Sequence, residues 1–409
     1  MLPYDAAVSE LQPTPPRERL LTLDVLRGCA LFGVLLGNVY DLYCGRRIRA
    51  PEDHGRLDAA ARFLVEVLVQ SKAQTLLCFL FGFGFAAQLV RARQHYQPVM
   101  PLYLRRLVVL FCFGCLHLLV FWGEVTWTYA IAGFALLLFL GNSNRTRLGW
   151  AVMLGFVPSI ILPFKSVYEA LTSPFGGANA HWAHINAEIE AAITTHSFWI
   201  AARKQLVIAA MFEVPNALAY FPWVVARFLV GFVAGEQGWF ARDGADHLPL
   251  FRRLLAVAAP VGVAGASFVY LLHHGRIGWH PPPEIWQIVV ALLARQLDYL
   301  GLAAAYLAAV VLLMQRPRAR RVLALLAPVG RMPLTTYLSQ SLLCTAIFYG
   351  WGLGRAFTLR SAACVGLAVA IFALQVMVAQ LWLRRFRFGP AEWLWRALVY
   401  LQRPPMRLR

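Results

Sequence analysis

The chain has 409 residues, of which 59% are hydrophobic and only 14% are charged. A soluble globular chain sits nearer about 45–50% apolar and about 25% charged, so this composition excludes a soluble enzyme or soluble binding module and points to a polytopic membrane protein. The net charge of +18 would suggest nucleic acid in a soluble chain; here no RNA- or DNA-binding motif is present, and the charge reads as arginine-rich loops drawn to anionic lipid.

Residues 1–20 are polar and carry Pro13, Pro15 and Pro16. The first apolar run comes after them, so it reads as a signal anchor rather than a cleaved peptide. Hydropathy then predicts a bundle of about ten transmembrane helices, an all-α architecture, with spans near 21–43, 72–93, 101–122, 125–141, 148–164, 219–238, 251–272, 285–314, 333–351 and 361–383. This gives a transmembrane bundle over 21–383, a short N-terminal segment over 1–20 and a basic tail over 384–409. Three amphipathic stretches are expected at the interface or beside it. They are 57–70 ahead of the second span, 198–214 as an interfacial or re-entrant segment, and 390–402 with Trp393, Trp395 and Tyr400 at headgroup level.

Loop charge sets the orientation. Arg91, Arg93, Arg105, Arg106, Arg145, Arg147, Arg242, Arg252, Arg253, Arg316, Arg318, Arg320 and Arg321 fall in the even junctions, and Arg384, Arg385 and Arg387 in the tail. The third junction holds Glu124 and the fifth holds Glu169, Glu188 and Glu190, neither with Lys or Arg. Both termini are therefore expected in the cytoplasm. The first outer loop is the exception, with Arg46, Arg47, Arg49, Arg56 and Arg62 against Glu52, Asp53 and Asp58. It reads as a solvated charged loop, or as a set of arginines on the side where an outer substrate arrives.

Ionisable groups within spans are the candidates for function, because they are costly in lipid and usually face a bundle interior or a watery cavity. In the first span, with Asp24 at zero on the helical wheel, Arg27 falls at about 300° and Asn38 at about 320°. Arg27 and Asn38 are separated by roughly 16 Å along the axis. The stripe reads as one wall of a polar tunnel; the alternative is a structural Asp24–Arg27 pair. The third span repeats the spacing, with Arg106 and His117 on one face and Glu124 just beyond the helix. His117 and Glu124 have the makings of a general base oriented by a carboxylate. The alternative is a histidine satisfied by a backbone carbonyl. Lys72 opens the second span and is placed near the outer interface, where it can snorkel. Gly82 and Gly84 allow close helix approach. In the ninth span Thr336 and Gln340, and Tyr337 and Ser341, form rows that either bond neighbouring helices or line a cavity. Of the seven cysteines six sit in apolar helical runs and Cys44 lies at a helix end; the Cys112–Cys115 CxxC, inside LVVLFCFGCLHLL, reads as small apolar packing residues rather than a redox or zinc site. No metal set is expected: His181 and His184, and His273, His274 and His280, lack a completing carboxylate nearby.

LDVLRG at 23–28 with Asn38, SKAQTLLCFLFGFGF at 71–85, LHLLVFWGEVTWTYAIAG at 116–133, GRMPLTTYLSQSLLCTAIFYGWGLG at 330–354 and GPAEWLWRAL at 389–398 resemble, in order, the YeiB-like family of uncharacterised bacterial membrane proteins. That resemblance implies the bacterial inner membrane. More distantly, Asp24, Arg27, Gly28 and Asn38 are similar to the first helix of the transmembrane acyltransferases, including heparan-glucosaminide N-acetyltransferase. The distant resemblance implies transfer of an acyl group from cytosolic acyl-CoA or acetyl-CoA to a glycan, lipid-linked or small-molecule acceptor on the outer face. The reactive histidine of the heparan enzyme is not matched in place: Arg49 stands at that spacing and His54 a little later, so His117 is preferred and His54 held in reserve. On this reading Arg27, Arg105, Arg106 and Arg331 hold the donor's phosphates, and Asn38 donates to the developing oxyanion. His117 deprotonates the acceptor with Glu124 orienting it, and Asp24, Lys72, Tyr337 and Gln340 line the pocket. A transporter or flippase using the same stripes, and a non-catalytic membrane scaffold, are the other two readings. An oligomer is compatible with all three.

Overall fold

The computed structural model describes residues 20–49, 51–94, 99–172, 178–277 and 285–408. Among these the chain is helical and holds no β-strand. The helices are α1 Leu21–Asn38, α2 Gly55–Phe63, α3 Lys72–Gln94, α4 Val99–His117, α5 Thr126–Ala135, α6 Asn144–Thr172, α7 Ala178–Thr194, α8 Phe198–Ile208, α9 Val214–Glu236, α10 Leu248–His273, α11 Ile285–Met314, α12 Pro317–Leu323, α13 Ala327–Arg331, α14 Pro333–Phe348, α15 Ser361–Leu383 and α16 Pro390–Tyr400. Eight helical segments among the described residues are long and apolar enough to cross a membrane: Leu21–Tyr43, Gly55–Arg91, Met100–His117, Asn144–Pro163, Ala219–Glu236, Ala241–His273, Ile285–Met314 and Ser361–Leu383. The chain is thus an all-α polytopic membrane protein.

The other two expected spans form shorter helices. The stretch near 125–141 becomes α5 with a 3₁₀ turn over Leu136–Phe139, and the one near 333–351 becomes α14, which stops at Phe348. Residues 198–214 run through α8 and a π-helical turn, Ala209–Glu213, straight into α9. They extend the sixth span instead of re-entering. Lys204 pairs with Glu188 of α7 at 3.0 Å.

Small residues let backbones touch where no hydrophobic force separates helix from lipid. A Cβ on Gly82 would collide with the Phe228 carbonyl, and one on Gly231 with the Phe79 carbonyl, so α3 and α9 cross through glycine on both sides. Gly84 faces open space and takes no part in that crossing. The α1 helix is held the same way, because Gly330 packs on the Asp24 carbonyl and Gly28 on the Leu326 carbonyl. This seats the short α13 against the first turns of α1.

At the opposite end, α1 closes with a π-helical turn, Val39–Tyr43, and Cys44 is joined to Cys364 at the start of α15 by a disulfide. The sequence offered no pairing for these cysteines: two that lie 320 positions apart are brought together by the folding of the first and last long spans. The N-terminus of α15 is capped by the first loop. Asp53 accepts from the Ser361 backbone N–H at 3.1 Å and hydroxyl at 2.7 Å, and Asp58 accepts from the Ala362 N–H at 2.9 Å. Arg46 pairs with Asp53 at 3.0 Å. The charged loop is therefore a capping structure for α15. Burial works against the Asp53 carboxylate, but the Ser361 hydrogen bonds and Arg46 outweigh it and hold its pKa below the ordinary value.

At the arginine-rich end, Glu392 of α16 caps α14. It accepts from the Leu334 N–H at 2.6 Å, the Thr335 N–H at 3.0 Å and the Thr335 hydroxyl. A carboxylate at a helix N-terminus is favourable because the first N–H groups lack intrahelical partners. Burial nonetheless pushes the Glu392 carboxyl above its usual value, against the pull of those hydrogen bonds.

Candidate functional site

The site is built on a break in helical structure. The α4 helix ends at His117, eight residues turn without helix, and α5 starts at Thr126. Irregular backbone within a membrane bundle is tolerated only where protein or a water-filled cavity surrounds it, and here the turn is enclosed. Phe121, Trp122 and Glu124 are at most 1% exposed. Gln205 of α8 donates to the Val120 carbonyl at 3.3 Å from one side, and Tyr43 stacks on Phe121 from the other, centroids 4.4 Å apart.

Within this turn Glu124 is the organising group. Its side chain accepts from the Thr126 N–H and so caps α5, its carbonyl accepts from the Trp127 indole at 3.1 Å, and its other carboxylate oxygen meets both His117 Nδ1 and the Tyr337 hydroxyl, the latter at 2.9 Å. The Tyr337 ring also stands edge-on to His117, centroids 5.2 Å apart. One turn along α14, Ser341 is bonded to the Tyr43 hydroxyl at 2.8 Å. His117 and Glu124, from one local turn, and Tyr337, from α14, therefore meet around one carboxylate. With the Nδ1 proton directed at Glu124, Nε2 presents its lone pair. That nitrogen is buried and has no hydrogen-bond partner. Buried polar atoms are almost always paired, and two more unpaired ones, Trp122 Nε1 and Gln205 Oε1, lie on or against the same turn.

Asn38 lies one turn before Leu42, whose side chain packs at Gly123 of the break; it is half-buried and its side chain makes no hydrogen bond. Asp24 and Arg27 form an ion pair at 2.8 Å. Arg331, exposed at the end of α13, follows Gly330 and so sits beside the same stretch of α1. Arg105 and Arg106 are otherwise engaged. Arg105 donates to the Val399 carbonyl of α16 at 3.0 Å, while Arg106 donates to Gln88 and lies 4.6 Å over the Trp395 ring. Both hold the C-terminal helix to α4. Gln340 faces the helix interior, donating to the Gln375 amide oxygen at 3.1 Å and to the Leu31 carbonyl at 3.4 Å. This is the packing row that the polar α14 sequence allows.

Lys72 does not snorkel. It is 1% exposed and pairs with Asp298 of α11 at 2.8 Å, also donating to the Glu66 carbonyl at 3.4 Å. Snorkelling is unnecessary once a carboxylate reaches it from the neighbouring helix. Asp298 keeps one oxygen, Oδ1, without a partner, and Arg227 of α9 donates to Gln296 at 3.2 Å, on the same helix as Asp298. Asp298 and Arg227 escaped the sequence reading, although each is an ionisable residue inside a long apolar span, which is the signal that finds such residues. Among the described residues no group of three or more His, Cys, Asp or Glu could hold a metal. His54, the reserve histidine, sits at the N-cap of α2 without a side-chain capping bond, and its backbone N–H donates to Asp58 at 3.0 Å.

The model of the family described as "Protein of unknown function (DUF418)" matches residues 234–402. The chain is 33% identical to "Uncharacterized protein YxaH" of Bacillus subtilis over 98% of both chains. It is 28% identical to "Uncharacterized 39.9 kDa protein in amylase 3'region" of Bacillus acidopullulyticus over 98% of this chain and 99% of that one. It is also 28% identical to "Uncharacterized protein YeiB" of Escherichia coli, over 93% and 96% respectively. No solved structure matches it. The chain belongs to the YeiB-like family of uncharacterised bacterial membrane proteins.

Proposed function

We propose that the chain is an integral-membrane acyltransferase, moving an acyl group from acyl-CoA or acetyl-CoA at the arginine-rich end to a hydroxyl or amine acceptor that enters from the opposite end. The observation that carries this is the unpaired, buried Nε2 of His117, on a ring whose other nitrogen is held by Glu124. A base oriented by a carboxylate that is itself fixed is the arrangement that activates a weak nucleophile. His117 takes the acceptor's proton as the acceptor oxygen or nitrogen bonds to the thioester carbon. The C–S bond then breaks, and the thiolate leaves and is protonated. Tyr337 and Thr126 hold Glu124 in place, and Asn38, free of other bonds, is the donor available to the oxyanion. With Arg105 and Arg106 committed to α16 and Arg27 paired with Asp24, the exposed Arg331 is the arginine most open to the donor's phosphates. The acceptor is a glycan, a lipid-linked group or a small molecule.

The proposed location is the bacterial inner membrane with both termini cytoplasmic. Loop arginines support that orientation. So does the Cys44–Cys364 disulfide, since both cysteines lie at the end this topology assigns to the oxidising compartment.

A second reading, a transporter or flippase, is favoured by the Lys72–Asp298 pair, because buried ionisable pairs between spans mark ion and proton pathways. Acyl-CoA binding to the detergent-purified chain separates the two. The acyltransferase reading expects binding that weakens in Arg331→Ala and persists in His117→Ala. Absence of binding by the unmodified chain overturns it.

A further inference from the structure

The tail after α15 folds back on itself. Arg387 N–H donates to the Met406 carbonyl at 2.9 Å and Leu408 N–H to the Arg385 carbonyl at 3.1 Å, around an isolated antiparallel bridge between Phe386 and Arg407. Two indole N–H groups lock the clasp: Trp393 donates to the Pro404 carbonyl at 2.8 Å, and Trp382 to the Phe388 carbonyl at 2.9 Å. The clasp bounds two open surface pockets. One, of about 510 Å³, is lined by Arg384, Arg385, Phe386, Arg407 and Leu408. The other, of about 450 Å³, is lined by Trp382, Pro390, Trp393, Leu394 and Met406 and is almost wholly apolar.

The three arginines are exposed, and none pairs with a carboxylate of the described residues. Gathering three guanidiniums without a counter-charge is unfavourable unless an anion is shared among them, and guanidinium matches phosphate oxygens in fork geometry. Both pockets are built by the same clasp: Met406 precedes Arg407 in the returning tail, and Trp382 stands two residues before Arg384. Leu394, Leu398 and Leu401 of the same region are 44%, 46% and 71% exposed, as befits a helix lying in the headgroup region.

We propose that this clasp is a binding site for an anionic phospholipid, its phosphate held by Arg384, Arg385 and Arg407 and the start of an acyl chain lying against Trp393, Leu394 and Met406. The site is separate from the His117 turn and does not depend on the reaction assigned to it. Free phosphate offers the same headgroup chemistry without the chain, and acyl-chain contact is what tells the two apart.

The test uses the full chain, delipidated in neutral detergent and titrated with phosphatidylglycerol, phosphatidylcholine or inorganic phosphate, with bound lipid read by native mass spectrometry. The expected result is phosphatidylglycerol binding that is at least about tenfold tighter than phosphatidylcholine and weakens at least about tenfold in Arg384→Gln/Arg385→Gln/Arg407→Gln. Arg407→Gln alone, at an exposed tail position, weakens it about threefold if the triple variant does not fold. Leu394→Asp weakens phospholipid binding as well. Unchanged phosphatidylglycerol binding in either arginine variant overturns the proposal, as does equal binding of phosphatidylcholine, or displacement of the lipid by an equimolar amount of inorganic phosphate.

Discussion

Two residues of α4 share a face and a kind of chemistry yet have opposite fates. Arg106, toward the start of the helix, is satisfied: Gln88 accepts from it and Trp395 lies beneath it. His117, at the end, is half satisfied, with Glu124 on Nδ1 and nothing on Nε2. The same residue spacing that suggested a shared polar face thus joins a docking contact to a half-satisfied histidine. Spacing on a helix says which residues look the same way; it does not say what meets them. The Lys72–Asp298 pair stands between these two cases, closed on one carboxylate oxygen and open on the other.

The largest expected effect lies at the open end. His117→Gln should lower acyl transfer by about 10²–10⁴-fold, the usual share of a general base, while the purified chain keeps its thermal midpoint. Glu124→Gln should cost as much activity and also loosen α5, since that side chain caps it. Equal activity in His117→Gln would erase the distinction between the two positions.

The next effect separates a closed pair from an open one. Lys72→Met leaves Asp298 buried without its cation and should destabilise by about 3–5 kcal/mol. Lys72→Met/Asp298→Leu should recover most of that loss, as read by thermal unfolding in detergent. A double variant no more stable than the single one would show that the two residues act separately.

A smaller, pH-dependent effect tests the cap at the disulfide end. The Asp53 pKa is held below its ordinary value, so the carboxylate's contribution is fully present above about pH 4–5 and is lost as pH falls through the folded pKa. Unfolding midpoints taken from pH 6 down to pH 3 should drop more steeply for the unmodified chain than for Asp53→Asn. Parallel curves would contradict the capping role. The smallest effect belongs to the closed end of α4. Arg106→Lys gives up the fit to Gln88 and weakens contact with Trp395, about 0.5–2 kcal/mol of docking for α16, with acyl transfer changed less than about threefold.

Much of the architecture was legible in the residues themselves. The ten apolar runs fall on helices, and helices also form at Gly55–Phe63 and Pro390–Tyr400 within the two stretches read as amphipathic. Hydropathy did not foresee that 125–141 and 333–351 would form helices shorter than the other eight, because a run of apolar residues records burial without saying whether lipid or protein provides it. The meeting of His117 with Glu124 was readable because both lie on one local turn. Tyr337, more than 200 positions away, was noticed as polar, but its partner could not be named. The Cys44–Cys364 bond and the Lys72–Asp298 pair were missed for the same reason: each joins distant spans, and no local pattern ties a residue to its partner across a bundle.

The central claim is that the unpaired nitrogen of His117 does chemistry. Proteoliposomes carrying the unmodified chain, His117→Gln or Arg106→Gln, supplied with radiolabelled acetyl-CoA on the arginine-rich side and a mixture of amine and sugar acceptors on the other, test it most directly. The account predicts label transfer by the unmodified chain, transfer within a few-fold of that by Arg106→Gln, and a loss of about 100-fold or more in His117→Gln. Label transferred equally by His117→Gln, or by none of the three, would contradict it.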